Sequence, residues 1–198
     1  MPQTITRKTY RNHRRETETL DLSTTPKDYQ PLVIAAWKAG RDVEQEETSC
    51  GYATDGHAEA ACDSYRLHYE HSPVRRVWQR IAPDTPDAQP WVIDRHLVAW
   101  LKIARKWGRQ PIIKIRDGYL RVDDAEYGTA RFARPMPIPA EWSAEYGVAA
   151  DYLLEAVQYL TRGKYNKPVT LTVAAPVCPL VIRNCTRHAV IMPARVND

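Results

Sequence analysis

The sequence predicts an α+β fold in which helices pack on antiparallel sheet. The main observation is a repeat, because the order strand, helix and three strands begins near residues 20, 91 and 146. Asp-Gly turns at 55–56 and 117–118 lie at matching places in the first two units and support the repeat weakly. The 198 residues include 15 prolines and 8 glycines, which indicates many chain bends and argues against glycine-rich phosphate loops.

The first unit follows a basic segment. Residues 4–19 hold five Lys and Arg side chains around a single tyrosine, with almost no apolar residues. This predicts a mobile or edge-lying arm, either solvated or in contact with phosphates. Residues 20–22 predict a short strand, and the apolar stretch 32–37 predicts a helix that ends at Gly40. The strands that complete the unit are predicted at 43–52, 57–62 and 65–69.

The second unit begins after a proline-rich segment at 73–90, which predicts a linker between domains. A strand is predicted at 91–93, and Asp94 is predicted to cap the next helix, which ends at Gly108. Strands are then predicted at 112–115, 120–122 and 129–132.

The third unit repeats this order. It has a predicted strand at 146–148 and a helix that is capped by Asp151 and ends at Gly163. The strands that complete it are predicted at 169–173, 180–182 and 189–191.

Composition and charge exclude several classes of protein. The formal net charge of +4 is compatible with nucleic acid without requiring it. The longest apolar run covers six residues, at 32–37, which is far short of a membrane span. The basic N-terminus lacks the apolar core of a signal peptide. We therefore expect no membrane partner, and we interpret the four cysteines as reduced thiols of a cytoplasmic protein.

An enzyme or metal site is the first alternative. Six possible ligands fall within 22 residues: Cys50, His57, Cys62, Asp63, His68 and His71. Their spacing matches no compact metal-binding motif, and His57 and Cys62 would point to opposite faces of a strand. The chain also lacks a nucleophile motif typical of Cys-His or Ser-His hydrolases. We therefore expect no metal, no cofactor and no catalytic residue.

Segments of the third unit resemble a known family. At 190–196 the chain closes with Val-Ile-Met-Pro-Ala-Arg-Val, and the bacterial DNA sliding clamps (the β subunits of DNA polymerase III) end in Met-Pro-Met-Arg-Leu. The segments 152–157, 169–173 and 179–182 are similar to the family in the same order. Upstream, 62–67 is similar to the family's Thr-Asp-Gly-His-Arg-Leu, and 74–83 to the segment that closes one clamp domain. The resemblance covers 91–198 well and 50–90 loosely.

The resemblance implies a DNA-clamp-like fold in three parts. These are a basic arm at 1–19, a reduced N-terminal domain plus linker at 20–90, and a complete C-terminal domain at 91–198. A bacterial clamp chain has three domains of two repeats each, and two chains close the ring. This shorter chain would close such a ring as a trimer or a tetramer. Its basic charge departs from the usual acidic clamps, which fits a compact phage or plasmid version in a bacterial or phage-infected cell.

The resemblance also implies a non-enzymatic processivity factor. It would encircle double-stranded DNA as a homo-oligomeric ring and dock peptides of DNA polymerase and the clamp loader. An alternative is a clamp-like regulatory or decoy protein that binds the replication machinery without encircling DNA.

Two sets of residues are candidates for these roles. Cations on or just after the helices would contact DNA: Lys38, Arg41, Arg95, Lys102, Arg105, Lys106, Arg109, Arg162, Lys164 and Lys167. Helix capping is the other interpretation of these cations. By position in the family, the pocket for partner peptides would use Leu67, Pro83, Val177, Pro179, Leu180, Val190, Met192, Pro193 and Arg195. Core packing is the other interpretation of Leu180 and Val190.

Overall fold

A computed structural model describes most of the chain. The described residues are 4–11, 14–39, 51–54, 58–63, 65–71, 89–108, 111–124, 126, 128–136, 146–162, 164, 167–173 and 178–194. The predictions at Gly40, 43–50, 55–57, 73–88 and Gly163 lie outside these residues.

The described residues form three helices and thirteen strands. The helices are α1 (Gln30–Ala39), α2 (Arg95–Ala104) and α3 (Ala150–Thr161). None of these described helices is long and apolar enough to cross a membrane. The strands are β1 (Thr4–Arg11), β2 (Arg14–Asp21), β3 (Gly51–Thr54), β4 (Ala58–Cys62), β5 (Arg66–His71), β6 (Gln89–Ile93), β7 (Ile112–Arg116), β8 (Tyr119–Asp124), β9 (Gly128–Pro135), β10 (Gly147–Ala149), β11 (Lys167–Thr172), β12 (Leu180–Arg183) and β13 (Arg187–Ile191).

The second and third units exchange their first strands. β10 opens the third unit but pairs with β7 of the second, with Val148 opposite Ile113. β6 opens the second unit but pairs with β11 of the third, with Trp91 opposite Val169. One sheet therefore has the order β10-β7-β8-β9, and another contains β6-β11-β12-β13. Neither unit completes a sheet alone, and α2 packs beside α3.

The first unit extends the second of these sheets. β5 pairs antiparallel with β13, and His68 lies opposite Ala189. β4 and β3 continue beyond β5, so the sheet has seven strands in the order β3-β4-β5-β13-β12-β11-β6. α1 packs on β3 and β4, whereas α3 packs on β13 and β5. The predicted α+β fold, with its repeated order of strand, helix and three strands, is confirmed.

The helices and the sheets share one hydrophobic core. In β11 and the residue after it, side chains alternate, and Val169, Leu171 and Val173 are at most 4% exposed. Leu101 of α2 and Leu153 of α3 are fully buried. Full burial of a leucine side chain contributes about 1.5–3 kcal/mol, so the shared core couples the exchanged units energetically.

The start of each C-terminal helix is stabilised differently. Asp94 caps α2 as predicted, since its Oδ1 accepts a hydrogen bond from the Leu97 backbone N–H at 2.8 Å. The predicted cap at Asp151 is wrong, because α3 begins one residue earlier, at Ala150, and Ala149 is the N-cap. β10 runs straight into α3, and the Ala150 N–H donates to the Pro111 carbonyl at 2.9 Å. This backbone contact satisfies the first free N–H of α3.

The Asp-Gly turn of the second unit has the predicted form. Asp117 and Gly118 have φ values of 51° and 74°, so both residues adopt the left-handed conformation. This geometry suits a tight turn between antiparallel strands, and the turn joins β7 to β8.

The basic N-terminal segment forms a two-stranded ribbon. β1 pairs with β2 along eight residue pairs, from Thr4 opposite Asp21 to Arg11 opposite Arg14. At its base, Ile5 and Leu20 pack against the core. The arm that we predicted at 1–19 is therefore a β-ribbon over most of its length.

Candidate partner-binding groove and helix face

A groove of about 520 Å³ lies where the first unit, the start of α3 and the C-terminal segment meet. Its described lining is mostly apolar and aromatic, and Asp151 is the charged residue among the residues described there. The lining consists of Tyr65, Pro111, Ile112, Ala149, Ala150, Asp151, Tyr152, Met192, Pro193 and Ala194.

Backbone hydrogen bonds hold the C-terminal segment in the groove wall. The Met192 N–H donates to the Tyr65 carbonyl at 2.8 Å. Two residues later, the Ala194 N–H donates to the Gly147 carbonyl at 2.8 Å. The two segments that carried the sequence resemblance, 62–67 and 190–196, therefore come together here.

Two tyrosines form an aromatic wall. The rings of Tyr65 and Tyr152 stack with centroids 6.2 Å apart and an angle of 25° between their planes. Tyr65 is 57% exposed, and Met192 is 43% exposed. Large apolar surface is thus accessible on both sides of the groove. An apolar channel of this kind suits an extended peptide with hydrophobic side chains.

A buried arginine supports this wall. The Arg66 guanidinium lies 4.4 Å from the centre of the Tyr152 ring, and its Nε donates to Asp63 Oδ2 at 2.7 Å. Its Nη1 also donates to Glu155 Oε2 on α3. Burial raises the pKa of the Glu155 carboxyl, and the adjacent Arg66 charge opposes that shift. Arg66 thus links the first unit to α3 directly beneath the groove.

Residues predicted for the pocket are distributed between the groove and its surroundings. Met192 and Pro193 line the groove. Leu67 and Val190 lie opposite each other in β5 and β13, on the sheet face away from the buried core. Pro179 is half-buried just before β12. Pro83, Val177 and Arg195 lie outside the described residues.

Leu180 has a different place. It is fully buried and belongs to the hydrophobic core, on the sheet face opposite Val190. The structure places it outside the described lining of the groove.

Sequence reasoning missed most of the groove wall. Tyr65 and Tyr152 stood within segments that carried the resemblance, and their aromatic character was the available signal. Pro111 and Ala149 carried no such signal, because they reach the groove through the pairing of β10 with β7.

A stripe of cations, formed by Arg95, Lys102 and Lys106, lies along α2 and the turn after it. Arg95 and Lys102 are exposed, and their spacing of seven residues places them on one side of the helix axis. Lys106 is also exposed, in the turn two residues after α2 ends. Arg105, just after the helix, is exposed and lies 3.8 Å from Asp151 of α3. Lys38 is exposed at the end of α1, and Lys164 is exposed after α3.

Arg162 is engaged in an ion-pair network. It forms the C-cap of α3, and its guanidinium donates to Asp28 at 2.7 Å and to Glu70 at 2.9 Å. Arg187 donates to the same two carboxylates at 3.0 and 2.9 Å. Arg162 is therefore partly neutralised, and its position links α3 to the first unit.

The structure describes no side-chain position for three other predicted cations. Arg41 and Arg109 lie outside the described residues, and Lys167 begins β11 with a side chain that is not described.

The residues considered as metal ligands have other roles where they are described. Asp63 accepts from the backbone N–H of Arg66 at 3.0 Å in addition to its ion pair. His68 stacks on Tyr159 in the core, with ring centroids 4.5 Å apart. Within the described ranges, no three His, Cys, Asp or Glu residues are grouped as a metal site, and Cys178 and Cys185 are free thiols.

Paired repeats that exchange strands, with their helices in one layer, define a clamp-like fold. A Pseudomonas aeruginosa DNA polymerase sliding clamp matches it with a TM-score of 0.54 and 12% identity, over 93% of this chain and 73% of that chain. An H. pylori beta clamp in complex with 5-chloroisatin matches with a TM-score of 0.54 and 12% identity, over 96% and 74%. No protein-family model and no curated protein sequence match this chain significantly.

The fold is that of the bacterial DNA polymerase III β sliding clamps. The resemblance predicted from the C-terminal motif is thereby confirmed at the level of fold. Identity this low shows the fold alone.

Proposed function

We propose that this chain is a DNA sliding clamp, a non-enzymatic processivity factor that works as a homo-oligomeric ring around duplex DNA. The observation that supports the proposal most is the clamp fold with its apolar groove beside the C-terminal segment. Such a ring needs no reacting groups, since contacts with phosphates carry no sequence information and exchange easily. Its place would be the cytoplasm of a bacterial or phage-infected cell.

Ring closure would require several copies of the chain. The two-chain ring of bacterial clamps contains six domains, each of two repeats. Four copies with three repeat units each would supply the same number of repeats. Three copies would supply the same number of domains if the first unit takes the place of one domain. Among the described strands, β3 and β9 are edge strands of the two larger sheets, as are β6 and β10, and such edge strands could join neighbouring copies.

The cation stripe on α2 is the proposed DNA-facing surface. Arg95 and Lys102 lie on one side of the helix, away from the buried Leu97 and Leu101, and Lys106 follows in the turn after it. Positive charge at regular helical spacing can follow a row of phosphates without reading bases. Arg105 would contribute less, because Asp151 lies 3.8 Å away.

Charge reversal on α2 tests this surface. The double variant Lys102→Glu/Lys106→Glu should bind a short labelled duplex at least roughly tenfold more weakly, because it loses two phosphate contacts and gains repulsion. The slope of log K against log salt should also fall by about 1.8, at about 0.9 per contact. Fluorescence anisotropy at several salt concentrations measures both quantities.

The matched control reverses two cations on a sheet. Arg121 and Arg131 lie opposite each other in β8 and β9, on the face away from the buried Leu120 and Val122. Arg121→Glu/Arg131→Glu changes the net charge equally and should leave duplex binding within about twofold. Equal losses in the two double variants would exclude α2 as the DNA-facing surface.

The groove is the proposed docking site for polymerase and clamp-loader peptides. It would take an extended peptide whose apolar side chains contact Met192, Pro193 and the tyrosine wall. The half-buried Leu67 and Val190 would extend this apolar surface along the sheet.

A regulatory or decoy protein that docks on replication proteins is the second candidate function. It would use the same groove but would not enclose DNA. The first candidate predicts a solution mass of three or four chains, whereas the second is compatible with a monomer. Light scattering at several concentrations distinguishes them.

A further inference from the structure

The N-terminal ribbon has two chemically different faces. Cross-strand partners in an antiparallel pair share a face, and the face alternates with each residue. One face carries positions 5, 7, 9 and 11 with their partners in β2, and the other carries positions 4, 6, 8 and 10 with theirs.

The contacts at the base fix which face is turned outward. Ile5 and Leu20 are directly paired and pack against the core, so their face is turned to the body there. Thr4, Thr6, Thr17 and Thr19 occupy the other face and are exposed. At the base of the ribbon, the second face is therefore directed away from the described core.

The outward face combines hydroxyl groups and positive charge. Between Asp21 at the base and the tip, its positions hold only hydroxyl and cationic residues: Thr4, Thr6, Lys8, Tyr10, Arg15, Thr17 and Thr19. Both acidic residues near the tip, Glu16 and Glu18, occupy the other face. Asp21 accepts a hydrogen bond from the Ser23 N–H at 2.8 Å, so it stabilises the turn after the ribbon.

We propose that the outward face of the ribbon binds the phosphate backbone of duplex DNA, as a second contact separate from the α2 stripe. Lys, Arg, Thr and Tyr are among the side chains that contact phosphates, and the DNA major groove admits a two-stranded ribbon. Lys8 and Arg15 provide the charge on this face, and its threonines provide hydrogen-bond donors. The inference goes beyond the proposed function and does not depend on ring formation.

The test compares single neutralisations on the two faces of the full-length chain. Arg15→Gln should lower the slope of log K against log salt by about 0.9 on a short linear duplex. Arg7→Gln, a matched change on the body-turned face opposite Glu18, should lower it much less. In the double variant Lys8→Gln/Arg15→Gln, the affinity lost between about 50 and 200 mM salt should be roughly tenfold smaller than in the unmodified chain.

A variant that adds charge distinguishes the loss of a DNA contact from unfolding of the ribbon. Thr17→Lys adds a cation to the outward face and should raise the salt slope by about 0.9. Equal effects of Arg15→Gln and Arg7→Gln, or no effect of any ribbon variant, would overturn the inference. If the ribbon variants changed the binding of polyglutamate as much as the binding of duplex DNA, the inference would also be overturned, in favour of an acidic protein partner.

The result is distinguishable from a failure of the clamp proposal. A short linear duplex has free ends, so topological retention does not contribute to its binding. Loss of binding in the ribbon variants with unchanged binding in Lys102→Glu/Lys106→Glu would support the ribbon and contradict the α2 surface.

Discussion

Replacement of Arg66 by methionine should lower the free energy of unfolding by about 3–5 kcal/mol at pH 7. The Arg66 side chain is 4% exposed and pairs with both Asp63 and Glu155. Methionine would leave Asp63, which is 2% exposed, as a buried carboxylate without its counter-charge. Urea unfolding at constant ionic strength measures the change.

The loss of unfolding free energy in Arg66→Met should become smaller as the pH is lowered. Burial already raises the pKa of Glu155, and removal of the Arg66 charge would raise this pKa further. A carboxyl with a raised folded-state pKa binds its proton more readily in the folded chain than in the unfolded chain. Stability is therefore recovered as the pH falls toward 5, and the loss relative to the unmodified chain should be smaller there than at pH 7.

The control is an arginine in an exposed ion pair. Arg121 pairs with Asp117 at 2.9 Å, and the Asp117 side chain is 77% exposed. Arg121→Met should cost at most about 1 kcal/mol. A similar cost for Arg66→Met would mean that the Asp63–Arg66–Glu155 cluster does not link the first unit to α3.

Replacement of His68 by phenylalanine should remove a large acid sensitivity. Burial, with a contribution from the Arg66 charge, lowers the pKa of His68 from 6.5 to about 3. Below pH 6.5 the unfolded chain binds a proton that the folded chain does not bind. Stability is then lost at about 1.4 kcal/mol per pH unit, which is about 2 kcal/mol between pH 6.5 and 5. The phenylalanine variant should not lose this contribution.

The same variant has an internal control above pH 7.5, where His68 is neutral in both states. Neither ring nitrogen of His68 has a hydrogen-bond partner among the described residues, whereas the ring stacks on Tyr159. Phenylalanine keeps the stacking and removes the unsatisfied polar atoms, so we expect stabilisation by about 1–3 kcal/mol at pH 8. Parallel curves of stability against pH for the two proteins would show that His68 is not buried as described.

Local chemistry made much of the fold predictable. The three repeat units follow from short apolar periods and from signals such as the Asp94 cap and the Asp117-Gly118 turn. These signals act within a few residues, so the sequence displays them directly.

Long-range pairing was not predictable. β6 and β10 read as the first strands of their own units, and nothing within three to five residues specifies that they exchange sheets. The start of α3 was misplaced for the same reason, since its first N–H is satisfied by the Pro111 carbonyl of a distant segment. The ribbon was missed because charges and threonines replace the apolar alternation of a half-buried strand.

The groove was predictable only in part. Met192 and Pro193 followed from the C-terminal motif, and the structure brings them beside Tyr65. Leu180 was predicted for the same site by its position in the family, but it lies in the core, which was the alternative interpretation, since alternation along β12 turns it away from Val190. A resemblance in sequence gives the segment, and the strand register decides which side chain is accessible.

Retention on circular DNA tests the central claim most directly. Linear duplex is incubated with the protein, so that a ring can thread over a free end, and is then closed into a circle by ligase. The circle is passed through a gel-filtration column in high salt, before and after a single-site endonuclease linearises the DNA. A ring should co-elute with the circle and separate from the linear form, because only an open end lets it slide off. Equal elution with both forms, or no retention on the circle, would contradict the account of this chain as a sliding clamp.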